Sequence, residues 1–257
     1  MRKYIFFILL LFTFYNLSGQ EEQNKFLKQS LKRGWEYQIR AGVNIGGATP
    51  FPMPKEIRKI LSYNPKLNGS IEGVVTKRLA CNPNVGIWLG LRLEEKGMDT
   101  GAMVKNYSTE IIYEGSRVAG YWTGEVSTHY KSAFITLPIG VNYRLSSRWD
   151  IRGGIYLSYR MDGEFSGFVS HGSLREGSPI GERVSFSGEQ CASYDFSSHL
   201  QYWLWGEQVG ASWRAFKHLS VYADLSYGLN NLFEKDFKTI TFSMYPLYMN
   251  MGFAYRF

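Results

Sequence analysis

Six arginines and three acids recur at alternate positions inside stretches that are otherwise bulky and apolar. They are Arg40, Arg92, Arg144, Arg152, Arg160 and Arg256, with Glu72, Asp150 and Asp224. Period two places them on one face of extended segments, opposite the apolar face. Such an array could line a lumen and select anions, or it could fill a narrow interior with salt bridges. An isolated buried charge is very costly, so the arginines are expected to share these acids and backbone carbonyls. We favour the filled interior, with Arg40, Arg92, Arg144, Arg152, Glu72 and Asp224 as the candidate charge network.

Four histidines could support other chemistry. They are His129, His171, His199 and His218; His129 lies near Ser127 and Ser132, and His199 adjoins Ser197 and Ser198. A base must reach its nucleophile and be oriented by a third group, which adjacency in sequence does not supply. No catalytic residues are assigned. Asp162, Glu164 and Asp195 lack the spacing of a calcium loop, so neither metal nor cofactor is expected. Cys81 is expected in a turn at one end of the fold and Cys191 in a loop at the other. No bond is expected between them, since a disulfide needs Cα atoms within about 7 Å.

These residues must be positioned by strands. The end of the chain, 239–257, alternates Tyr245, Leu247, Met249, Met251, Phe253, Tyr255 and Phe257 with small or polar residues. Seven earlier segments show the same two unlike faces: 35–46, 69–79, 85–93, 133–143, 149–159, 203–213 and 219–229. The second is the weakest, and Glu207 is an outward exception in the sixth. The connections alternate long and short, the short ones being 80–84, 145–148 and 214–218. Outer-membrane barrels have this asymmetry. The outward aromatics fall in two belts, as a bilayer with two interfaces favours. Trp35, Tyr143, Trp149 and Trp213 lie at the short-turn rim, and Tyr159, Trp203, Tyr227 and Tyr245 at the other. Phe253, Tyr255 and Phe257 form an aromatic ending of the kind read by barrel-insertion machinery.

The expected fold is all-β, a single-chain antiparallel transmembrane barrel of eight strands with long extracellular loops. Residues 1–19 read as a signal peptide, with a basic start and an apolar run too short to span a membrane. Residues 20–34 read as a periplasmic lead-in, and 35–257 as the barrel. Residues 49–67 are expected to be a loop, in which 55–61 could form one or two helical turns. Residues 94–131 read as a polar insertion holding a hairpin, 104–113 with 118–126, that stands past the membrane. A ten-stranded count follows if that hairpin enters the bilayer. A second insertion is expected over 162–198. The formal charge of +7 is spread without a basic stripe, which argues against nucleic acid.

The chain resembles the PorT-like outer-membrane β-barrel proteins of Bacteroidetes, among the small porin-family barrels. The likeness covers most of the chain after 1–19. It is carried by Ser62-Tyr63-Asn64-Pro65, the run from Leu91 to Met98, Val104-Lys105-Asn106-Tyr107, Tyr121-Trp122-Thr123-Gly124, Ile135-Thr136-Leu137-Pro138, Asp162 to Gly167, Leu174-Arg175-Glu176-Gly177, Trp213 to Tyr227 and Met244 to Phe257. The resemblance implies an outer-membrane location and no catalytic residues. The expected role is a non-enzymatic surface scaffold whose loops bind a protein or glycan or support the envelope. The expected partners are outer-membrane lipid and the insertion machinery. The alternative role is a narrow pore or an accessory of protein secretion. Tyr107, Tyr113, Tyr121, Trp122, Phe165 and Phe168 are expected to be exposed unless the loops pack on one another or on a partner.

Overall fold

A computed structural model describes residues 29, 32–113, 115–186 and 192–257. The segment read as a signal peptide and Cys191 lie outside the described residues, as does most of the lead-in. Alternation of apolar and polar residues builds eight long antiparallel strands: β1 (Trp35–Pro50), β3 (Asn68–Arg78), β4 (Val85–Tyr113), β5 (Ser116–Arg144), β6 (Trp149–Glu176), β9 (Trp203–Arg214), β10 (Leu219–Gly228) and β11 (Met244–Arg256). Each pairs with its neighbour in the ring, and β1 pairs with β11 from Gln38–Arg256 to Pro50–Met244, which closes it. Among the described residues the ring therefore has eight strands, and the 104–126 hairpin adds none. Three short strands, β2 (Ile57–Asn64), β7 (Arg183–Phe186) and β8 (Ala192–Asp195), attach at one end.

The short connections make tight turns at the other end. Leu145 N–H donates to Trp149 O at 2.9 Å and Ala215 N–H to Leu219 O at 3.0 Å. The Ser146 hydroxyl oxygen accepts from the Arg148 and Trp149 amides, the local side-chain bond that favours Ser in turns.

Three expectations are corrected. Residues 57–64 are a strand, not helical turns. β3 stops at Asn68, and the edge of β4 beyond it is taken by β2, from Ile57–Val104 to Asn64–Asp99. Residues 94–131 are not an insertion. β4 and β5 are 29 residues each and run from the wall into the hairpin without a break. Residues 162–176 likewise continue β6, with β7 and β8 paired on it. About 10 residues suffice to cross a bilayer, so well over half of each long strand stands beyond it.

The long strands change character along their length. On β5 the outward residues Tyr143, Val141, Ile139 and Leu137 are exposed and apolar, while inward Asn142 and Thr136 are buried and polar. Further up, inward Phe134, Tyr130, Val126 and Trp122 are buried, and outward positions become Lys131, His129 and Ser127. The upper end thus has a water-soluble domain's arrangement, apolar inside. Its core joins Trp122, Tyr130, Phe134 and Phe165 to Ile111, Val169, Leu174, Tyr194, Phe196, Leu200 and Phe233. Three of the loop aromatics, Tyr107, Trp122 and Phe165, are buried there, so packing within the long end accounts for them. Tyr113 is exposed with its ring 5.0 Å from Phe186, and Tyr121 and Phe168 are half-buried. A bulge between Val104 and Tyr107, with Asn106 at φ 57°, shifts the inward parity of β4 so that Tyr107 and Ile111 join this core.

Candidate functional site

The lower half of the interior is a charge network in two tiers. In the central tier Glu72 of β3 meets three guanidiniums: Arg40 of β1 at 3.4 Å, Arg92 of β4 at 3.1 Å and Arg152 of β6 at 3.4 Å. Asp224 of β10 accepts from Arg40 at 2.9 Å and from Arg152 Nε at 2.7 Å. Arg152 also donates to Asp224 through Nη2. Arg92 donates to Gln208 of β9 at 3.3 Å. Six strands thus contribute to one constellation, and all of its ions are buried. Two arginines also stack on aromatic faces: Arg40 lies 4.2 Å over Tyr222 and Arg152 4.6 Å over Trp88.

The second tier closes the short-turn end. Glu36 accepts two bonds from Arg78, both at 3.1 Å, and one from Arg144 at 2.8 Å. Asp150 accepts from Arg256 at 3.0 Å and from Arg144 and Arg78 at 3.4 Å. Arg160 stands apart from both tiers. It donates to the carbonyls of Leu200 and Gln201 at 2.7 and 3.1 Å.

Where the charged half meets the apolar half sits Lys96. It pairs with Glu94 at 3.0 Å and is ringed by Phe134, Tyr156 and Tyr248, whose centroids lie 5.3 to 5.6 Å away. Glu94 is held in turn by Thr136 at 2.8 Å and Asn44 at 3.0 Å. The cavity among Gln38, Arg40, Asp150 and Arg152 is about 20 Å³, room for about one water. Around these two tiers the lower interior is filled, and each ion named in them has a partner of opposite sign.

Sequence reasoning missed Glu36, Arg78, Glu94 and Lys96. Arg78 shares the parity of Glu72 but lies one residue past Lys77, which obscured the weak strand. Glu94 and Lys96 continue the parity of Arg92, a signal hidden because the outer face turns polar beyond Leu93.

The remaining candidates fall elsewhere. His129 is on the outer face of β5 and shares a 2.5 Å hydrogen bond with Asp99, whereas Ser132 is buried on the inner face. His199 stacks on Phe237 at 4.5 Å, and the Ser197 hydroxyl accepts from the Phe165 amide. Asp162, Glu164 and Asp195 bond locally to Gly163, Ser166 and Ser197. Among the described residues no group of three His, Cys, Asp or Glu is arranged to hold a metal ion. Cys81 is an exposed free thiol. Trp35, Tyr143, Trp149 and Trp213 are exposed at the short-turn rim. Tyr159 and Trp203 pack at 5.0 Å near the upper rim, and Tyr227 and Tyr245 at 6.1 Å. Phe253, Tyr255 and Phe257 are exposed on the last strand and its end.

A closed antiparallel ring with an apolar exterior, a polar lower interior and backbone groups paired around the lower wall defines a transmembrane β-barrel. No described helix is long and apolar enough to cross a membrane. The chain belongs to the outer membrane protein beta-barrel domain family, whose model matches residues 19–234, and it is a protein of the bacterial outer membrane. No curated protein matches it. Similar solved structures include Ail of Yersinia pestis, at 10% identity and TM-score 0.39 over 87% of this chain and 97% of that one. OprG from Pseudomonas aeruginosa is 9% identical, with TM-score 0.33 over 88% and 97%. The outer membrane protease OmpT from Escherichia coli is 14% identical, with TM-score 0.31 over 87% and 94%.

Proposed function

We propose that this chain is a PorT-like, non-enzymatic surface scaffold. Its long end faces outward and presents a rigid surface to a protein or glycan ligand or to the envelope. The observation that supports this reading is the continuity of β4, β5 and β6, which pass without interruption from the wall into a protrusion with its own apolar core. Loops held by a rigid scaffold are where binding concentrates. The filled interior favours this role over a pore. The aromatic end of β11 serves as the signal for the insertion machinery, and the two aromatic belts sit against outer-membrane lipid.

Conductance of the refolded protein in a planar bilayer tests the reading. A silent bilayer, with folding verified by heat-modifiable gel mobility, is the expected result. Steady openings would overturn the scaffold and make the arginines a selectivity filter.

A further inference from the structure

The wall is not sealed everywhere. Pairing of β1 with β3 ends at Asn44–Asn68, yet β1 continues to Pro50, paired only with β11. On the far side of this gap β2 occupies the edge of β4 and pairs with nothing else. A slot is left between the 45–50 edge of β1 and the free edge of β2. Behind it lies a cavity of about 570 Å³, within the roughly 300–1,000 Å³ typical of ligand pockets.

The lining of this cavity is apolar and comes from both faces of the wall. Ile45, Leu225, Leu247 and Met249 belong to the outward, lipid-facing band. Met98, Val104, Tyr107 and Phe165 belong to the upper core. The cavity therefore joins the hydrocarbon to the inside of the barrel. Gly47 lets β1 approach the inner wall of the cavity closely, since a Cβ there would meet Met98 Sδ at 2.5 Å. The 55–59 stretch beside the slot is net basic: Lys55, Arg58 and Lys59 are exposed with half-buried Glu56 among them, while Lys66 is paired with Asp99 at 2.8 Å.

We propose that this slot admits one acyl chain of an anionic amphiphile from the adjoining leaflet. The chain lies in the cavity, and the carboxylate or phosphate head rests on the net basic 55–59 stretch. Burial of the chain against Met98, Val104 and Phe165 supplies affinity. Lys55, Arg58 and Lys59 supply the preference for a negative head.

The test uses the full refolded protein in nanodiscs with two photoactivatable probes, a diazirine palmitate and a diazirine phosphatidylglycerol. Labelled residues are mapped by mass spectrometry. Inward labelling at Met98, Ala102 or Val104 is expected. It should drop about tenfold in Ala102→Trp, and likewise in Ala48→Phe, which fills the cavity from β1. Leu157→Trp, on the opposite wall, should leave it unchanged. Lys59→Glu should weaken it for both probes. Inward labelling by palmitate alone assigns the site to free fatty acid, and labelling by both assigns it to lipid chains. Labelling confined to outward residues such as Leu247 and Leu157, or inward labelling indifferent to both filling variants, would overturn the proposal. Heat-modifiable mobility checks that each variant folds, and the map on the parent protein stands without them.

Discussion

Glu72 is the residue on which the interior turns, because three buried guanidiniums lie within 3.4 Å of its carboxylate. Removing one partner from a buried ion network leaves the others uncompensated, at a cost of about 3–5 kcal/mol. Glu72→Gln is therefore expected to lower the denaturant midpoint for loss of heat-modifiable mobility. An unchanged midpoint would mean that Asp224 alone can hold the arginines. Asp99 lies beyond the apolar band and tells a different story. Partial burial raises its pKa, but hydrogen bonds from Lys66 and His129 outweigh this and hold the carboxyl below its ordinary value. A depressed carboxyl contributes stability above its unfolded pKa and loses it as pH falls through the folded one. Stability measured from about pH 5 to pH 2 should accordingly fall less steeply in Asp99→Asn than in the parent. At this scale parity marked Arg40, Arg92, Arg152, Glu72 and Asp224 as inward, but it missed Glu36, Arg78, Glu94 and Lys96 where the strand pattern was weak or unrecognised. It could not pair the charges, because partners such as Arg40 and Asp224 are 184 residues apart.

Strands β4 and β5 carry one alternation through two solvents. Below Glu94 and Ser132 the outward parity meets hydrocarbon and is apolar. Above them it meets water, and the inward parity becomes apolar instead. The inversion explains why 94–131 read as a patchy insertion: a search for a continuous apolar outer face fails where the solvent changes. Trp122, wholly buried in the upper core, provides the test. Trp122→Ala should cost about 3–5 kcal/mol locally. Limited proteolysis should then cleave β4 and β5 above Glu95 and Lys131, while the lower barrel keeps its heat-modifiable mobility. Collapse of both halves together would show that the protrusion and the wall fold as one unit.

The whole ring depends on the pairing of its first and last strands, thirteen registered positions from Gln38–Arg256 to Pro50–Met244. Closure leaves no lower edge open to lipid. If the aromatic end of β11 guides insertion, Phe257→Ser should reduce the folded fraction recovered from outer membranes in cells. It should leave refolding into detergent unchanged, since Phe257 is exposed and outside the strand. The filled lumen makes a further prediction for the assembled molecule. Arg152→Gln should remain silent in a planar bilayer, because the network around Glu72 and Asp224 still occupies the interior.

By itself the sequence determined the local alternation, the alternating connection lengths and the aromatic belts. Together these specify a barrel and the faces of its lower wall, since strand parity and solvent preference are local properties. Tertiary structure decided what depends on neighbours far apart in the chain. Residues 57–64 are a strand because β3 ends early and leaves an edge of β4 to be paired. Tyr107, Trp122 and Phe165 are buried because three long strands meet around them. The slot beside β1 exists because two strands of unequal length share one seam, and strand length relative to a neighbour is set only when the ring closes.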